Sequence, residues 1–194
     1  MNRPLTILHA ADLHLDSPFD GLSEEGAALR RRELRLIPGT LIHLAAARNA
    51  DVILLAGDMF DSDEPYRDSV DELFRALGSV DIPVFISPGN HDFFSLSSPY
   101  AGVSLPKNVH VFTGGMDCVT LPELNLRVWG AAFTSEHSSP LLDGFRVDTD
   151  DGYMNIAVIH GDATNPASPY GAVTAGQIAE SGLNYLALGH NHAF

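Results

Sequence analysis

Asp51-Val52-Ile53-Leu54-Leu55-Ala56-Gly57-Asp58-Met59-Phe60-Asp61 is the stretch from which the fold can be read. Val52 to Ala56 is an unbroken apolar run of strand length, as expected of a strand buried on both faces. It stops at Gly57-Asp58, where glycine permits a tight turn and polar chemistry begins. The same construction recurs on either side. Upstream, Leu5 to Ala10 is apolar and gives way to Asp12-Leu13-His14; downstream, Pro83 to Ser87 gives way to Gly89-Asn90-His91-Asp92. Between the first two strands, Glu24 to Asn49 carries helical spacing through Leu29, Leu34, Leu36, Leu41, Ile42 and Leu44. Pro38-Gly39 should divide it into two helices. Tyr66 to Leu77 reads as a further amphipathic helix.

The pattern then changes. Val109–Phe112, Cys118–Leu121 and Asn125–Phe133 read as strands separated by short turns. Met154 to Ile159 follows as a strand, Thr174 to Ser181 as a short helix, and Tyr185 to Leu188 as a last strand. Strand-helix alternation followed by successive strands predicts an α/β domain over 1–194, with two packed mixed β-sheets flanked by helices.

Composition narrows the function. The 194 residues include 25 acidic and 11 basic side chains, a net charge of −14, and Lys107 is the single lysine. That balance argues against a large basic surface for nucleic acid. Arg30, Arg31, Arg32 and Arg35 form one basic cluster, read as a solvated helix face. Cys118 is the only cysteine, so neither an internal disulfide nor a thiolate metal cluster is available. No apolar run approaches the ~20 residues of a bilayer span. The first residues do not read as a signal peptide, and a cytoplasmic protein without membrane contact is the expectation.

Five polar clusters follow predicted strands: Asp12-Leu13-His14, Gly57-Asp58, Gly89 to Asp92, His160-Gly161, and Gly189-His190-Asn191-His192. In α/β sheets ligands bind beyond the carboxyl ends of strands. The spacing of two in Asp12-x-His14 and His190-x-His192 points both side chains of each pair to one side of an extended segment. Imidazoles, carboxylates and an amide oxygen, with no thiolate, suit manganese, iron or zinc. A pair of such ions needs a bridging carboxylate and several terminal ligands.

These motifs, in this order, resemble those of the calcineurin-like metallophosphoesterases: Asp-x-His, Gly-Asp-x-x-Asp, Gly-Asn-His-Asp, a histidine after a strand, and Gly-His-x-His. The resemblance runs from Ile7 to His192 and implies the four-layer sandwich of that family with two divalent metal ions. It implies that Asp58 bridges the ions, that Asp12, His14 and His192 complete one, and that Asn90, His160 and His190 complete the other. His91 then meets the scissile phosphate or protonates the leaving oxygen, with Asp92 orienting it. The reaction implied is hydrolysis of a phosphate ester without a covalent enzyme intermediate.

Ile7 to Pro18, Ala56 to Asp61 and Tyr185 to His192 are worded like the bacterial SbcD and YhaO-like nuclease branch. That resemblance implies a DNA exonuclease or endonuclease of the repair type, with manganese, acting on DNA ends beside an SMC-like ATPase. Against this, the acidic balance suits a phosphatase or phosphodiesterase for nucleotides or other small phosphate esters. A metal-binding module that docks an ATPase without catalysis is a third reading. Because family members continue beyond the last ligand motif, the chain to Phe194 is expected to lack the strands that finish the second sheet and the DNA-capping and ATPase-binding parts. The open sheet edge would invite pairing into a homodimer.

The remaining candidates have plainer readings. His9, His43, His110 and His137 read as satisfied core residues and not ligands, with the alternative for His137 that its polar loop could border the cleft and serve substrate. Asp61 either hydrogen-bonds a ligand histidine or caps the loop after it. Asp16 and Asp20 read as turn formers.

Overall fold

The computed structural model describes residues 4–148 and 152–192. Its first sheet contains β1 (Ile7–Ala10), β2 (Val52–Leu55), β3 (Val84–Ile86) and β4 (Val109–Val111), in that order and parallel throughout. The second sheet contains β5 (Asp117–Leu121), β6 (Leu126–Gly130), β7 (Met154–His160) and β8 (Tyr185–Gly189), also in order. β5 runs antiparallel to β6, and the other pairs are parallel. Helices α1 (Glu24–Leu34), α2 (Ile37–Ala47) and α3 (Arg67–Leu77) belong to the crossovers of the first sheet, and α4 (Ala175–Ser181) joins β7 to β8. This is the α/β architecture expected, two sheets flanked by helices.

Side-chain alternation along β2 shows how the layers stack. Val52, Leu54 and Ala56 face the second sheet and pack with Phe85, Phe112, Val128, Ile156 and Val158. Ile53 and Leu55 point the other way, into a core with Ile42, Leu73, Phe74 and Leu77 from α2 and α3. Each fully buried Leu or Ile contributes about 1.5–3 kcal/mol relative to exposure. A charge at Leu54 would therefore split the inter-sheet layer, because that position is closed to solvent.

The helices differ in how firmly they are held. In α3, Val70, Leu73, Phe74 and Leu77 recur at helical spacing and are all buried. α1 buries only Ala27. The break between α1 and α2 falls at Arg35–Leu36, ahead of Pro38-Gly39, and places Pro38 in the first turn of α2. There the missing N–H costs nothing, because a first-turn N–H has no partner within the helix. α4 starts with Thr174 and Gln177 bonding each other's backbone in a capping box, and ends at Gly182 with φ 75°. No helix among the described residues is long and apolar enough to cross a membrane.

Three sequence readings change. His9 is exposed on β1, with Nδ1 3.0 Å from the Tyr185 hydroxyl, and is not a core residue. Arg35 leaves the solvated arginine face: its Nη2 lies 2.8 Å from Asp16 Oδ1, and its Nε donates to Ser69 Oγ at 2.8 Å. Asp16 is thus more than a turn former, since its carboxylate also accepts from the Ser69 hydroxyl and the Tyr66 N–H.

Candidate metal centre

The loops after β1 and β2 continue side by side beyond the sheet. Asp12 N–H donates to the Gly57 carbonyl at 2.9 Å, His14 N–H to Asp58 O at 3.0 Å, and Leu15 N–H to Met59 O at 2.9 Å. This extension carries Asp12, His14 and Asp58 to one place. The end of β7 brings His160 and the end of β8 brings His190, whose N–H donates to the Asp12 carboxylate at 3.0 Å. Glycine is required where these loops touch. A Cβ on Gly57, at φ 86°, would lie 2.3 Å from His160 Nδ1, and one on Gly89 would lie 2.2 Å from Asp58 Oδ1.

The seven candidate ligands form two sets around Asp58. Asp12, His14 and His192 present one donor atom each within 4.8 Å of one another, and so do Asp58, His160 and His190. Asn90 joins the second set, its Oδ1 3.0 Å from His160 Nε2 and 3.2 Å from His190 Nδ1. Asp58 Oδ2 lies 3.3 Å from His160 Nε2 and 3.8 Å from His14 Nε2, so it reaches both sets. His160 and Asp58 are fully or almost fully buried, while His192 is exposed.

The outer ring nitrogens fix the tautomers. His160 Nδ1 sits 2.9 Å from the Ala56 carbonyl oxygen, which only accepts, so Nδ1 carries the hydrogen. His14 Nδ1 likewise donates to Asp61 Oδ1 at 2.8 Å. Asp61 thereby takes the first of its two sequence readings. The inner nitrogens then turn lone pairs toward other acceptors. His14 Nε2 faces His192 Nε2 at 3.3 Å, and His160 Nε2 faces His190 Nδ1 at 3.3 Å together with two oxygens.

Convergent lone pairs in a buried place call for positive charge. Burial works against a proton on His160, but the Asp58 carboxylate outweighs it and raises the pKa of the ring. Burial likewise works against the Asp58 charge, and the bond to His160 reverses the effect and lowers its pKa. His190 goes the other way, lowered by its own burial and by the charge on His160. One proton answers one pair of acceptors, whereas divalent cations would answer all of them. A backbone carbonyl and a carboxylate behind the two histidines are also the outer partners that metal-ligating imidazoles require. The donor set therefore fits two divalent cations.

His91 is exposed at the rim, with its ring T-shaped against His14 at 4.9 Å. Its Nδ1 is 3.2 Å from the Asp61 carbonyl oxygen, and its N–H donates to Asp58 Oδ1 at 3.0 Å. Asp92, expected to orient His91, makes no hydrogen bond to it among the described residues. Its closed-in carboxylate instead accepts N–H groups of Gly89, Asp58, Met59 and Phe60 and the hydroxyl of Tyr100. Sequence offered no sign of Tyr100 or of Tyr170. Tyr170 leans on His190 at 5.3 Å and stacks on His137 at 5.3 Å with a 16° tilt, so His137 does border the cleft. His110 lies between Phe85 and Phe112, and His43 is exposed on α2.

Two parallel-rich sheets with nitrogen and oxygen donors gathered at their strand ends define a metallophosphoesterase. The chain belongs to the calcineurin-like phosphoesterase family, whose profile matches residues 5–194. It is 32% identical over 203 residues to the metallophosphoesterase YhaO of Bacillus subtilis strain 168, covering 97% of this chain and 48% of that protein. It is 35% identical over 95 residues to the DNA double-strand break repair protein Mre11 of Methanosarcina acetivorans, covering 47% of this chain and 15% of that protein. Mre11 of Aeropyrum pernix is 37% identical over 89 residues, or 44% of this chain and 20% of that protein. The chain thus spans about half the length of YhaO and a smaller share of the Mre11 proteins. These alignments agree with the resemblance carried by the motifs.

Proposed function

We propose that this chain hydrolyses phosphodiester bonds with two divalent cations, manganese foremost, and that its substrate is DNA. Asp58 carries the chemical part of this reading, because its carboxylate lies within 3.8 Å of histidines from both donor sets. In this proposal Asp12, His14 and His192 hold one ion, Asn90, His160 and His190 hold the other, and Asp58 is shared. Two bound cations would supply Lewis acidity toward the phosphoryl oxygens and lower the pKa of a water between them.

The chain's own groups do the rest. His91 has Nδ1 engaged by a carbonyl, and one of its ring nitrogens lies within 4.8 Å of donor atoms of both His14 and Asp58, so the ring borders the donor sets. As an imidazolium it can donate from Nε2 to the departing oxygen, while the Asp61 carbonyl keeps the ring from turning. The backbone link from His91 to Asp58 Oδ1 keeps acid and shared carboxylate in one frame. Asp61 orients His14 through its side chain and His91 through its carbonyl, so one residue serves both.

DNA as substrate is supported by the similarity to proteins named for double-strand break repair. The net charge of −14 favours the second reading, a nucleotide or another small phosphate ester. The test is hydrolysis of end-labelled duplex DNA with manganese over a salt series, beside p-nitrophenyl esters of thymidine monophosphate. DNA cleavage that weakens steeply with salt supports the first reading, since phosphate contacts release counterions. Ester hydrolysis indifferent to salt, with DNA left intact, would replace it by the second.

A further inference from the structure

Four of the seven candidate ligands have left-handed backbones: Asp12 at φ 56°, His14 at 45°, Asp58 at 53° and His190 at 103°. Side-chain-bearing residues occupy that region only under strain and stay there only when their surroundings hold them. Asp58 follows Gly57, also left-handed, so the chain leaves β2 through two such residues in a row. The N–H groups of Asp58, Met59 and Phe60 turn inward together and, with Gly89 N–H, converge on the carboxylate of Asp92. A concave run of N–H groups is a natural seat for an anion. Here the anion is a buried side chain that ties the second ligand loop to the third.

Tyr100 completes that seat. It is 3% exposed, its ring packs beside Phe60 at 6.1 Å and Phe74 at 6.4 Å, and its hydroxyl donates to Asp92 Oδ2. The same oxygen receives Met59 and Phe60 N–H. We infer that Tyr100 is a positioning residue for the metal centre: its hydroxyl holds Asp92 in the one orientation that fixes the left-handed backbone of Asp58, and so aims the carboxylate shared by both ions. The inference rests on the two-metal reading above. Removing the hydroxyl leaves Asp92 with its four N–H partners, so the fold survives while Oδ2 loses the one side-chain donor that shares it with Met59 and Phe60 N–H.

The test uses Tyr100→Phe, with Phe74→Leu as a control that disturbs the same ring packing without touching Asp92. In metal-free protein, amide hydrogen exchange is followed across residues 57–60. In parallel, manganese binding is measured by calorimetry. The expected result is faster exchange at Met59 and Phe60 in Tyr100→Phe, unchanged exchange within β2, and about tenfold or greater loss of manganese affinity. Phe74→Leu, even at matched loss of thermal stability, keeps wild-type affinity. Wild-type exchange at 57–60 in Tyr100→Phe, or wild-type affinity for both ions, overturns the inference. So does an equal affinity loss in the control, which would reduce Tyr100 to packing. A wild-type chain that binds no manganese overturns the two-metal reading instead, and the exchange measurement still decides whether Tyr100 holds Asp58.

Discussion

His14 Nδ1 lies 2.8 Å from Asp61 Oδ1, so a carboxylate three residues past Asp58 sets the tautomer of a histidine from another strand end. Removing that partner should matter more for metal than for folding, because Asp61 lies at the open end of the site. For Asp61→Asn we expect manganese affinity to fall about 10- to 100-fold, with a thermal midpoint close to wild type. Calorimetric titration of both proteins checks it. The Asp61 carbonyl still accepts from His91 in the variant, so the rim histidine should stay ordered.

Gly57→Ala tests the crowding behind His160. The new Cβ would meet the imidazole at 2.3 Å and would have to adopt φ 86°. The loop or the ring must shift, and we expect a loss of about 1–3 kcal/mol in urea unfolding. The His160–Ala56 bond runs through the same place, so manganese binding to the second donor set should weaken as well.

Asp16→Ala should destabilise the first crossover. Its carboxylate accepts from Arg35, from the Ser69 hydroxyl and from Tyr66 N–H, joining the loop after His14 to α3. Arg35 keeps partial solvent access, so the charge left behind is not fully stranded. A loss of about 1.5–3 kcal/mol is expected, read from the urea midpoint at unchanged slope.

A pH effect remote from the metal centre is expected at His110. Burial holds this ring below its ordinary 6.5, with Asp117 offsetting part of that. The unfolded chain therefore binds the proton more readily, and folded stability declines as pH falls from 6.5 through the lower native value. His110→Phe keeps the ring between Phe85 and Phe112 and removes the titration. Between pH 7 and pH 5, metal-free wild type should lose more stability than the variant. An equal loss in both would remove His110 as the cause.

Strand ends were legible because a doubly buried strand must be an apolar run, and polar donors can begin only where it stops. Leu54 and Asp58 thus announce the strand and the site within five residues. What depended on distant partners could not be read. Pro38 marked a break but not its position, since a first-turn proline is tolerated just beyond it. Asp92 sits beside His91 in sequence, yet its side chain turns inward to the amides of another loop. Arg35 looked like one of four surface arginines until Asp16 appeared opposite it. Tyr100 and Tyr170 carry no local pattern; only the packing of two loops shows what they touch.

The most direct test of the two-metal phosphodiesterase is hydrolysis of bis-p-nitrophenyl phosphate by the purified chain, first stripped of metal and then reloaded with manganese, beside His91→Ala. The expected result is no turnover without metal, turnover restored by manganese, and a fall of about 10²- to 10⁴-fold in the variant while it still binds two ions. Two bound manganese ions with no diester hydrolysis, or hydrolysis indifferent to both metal and His91, would contradict it.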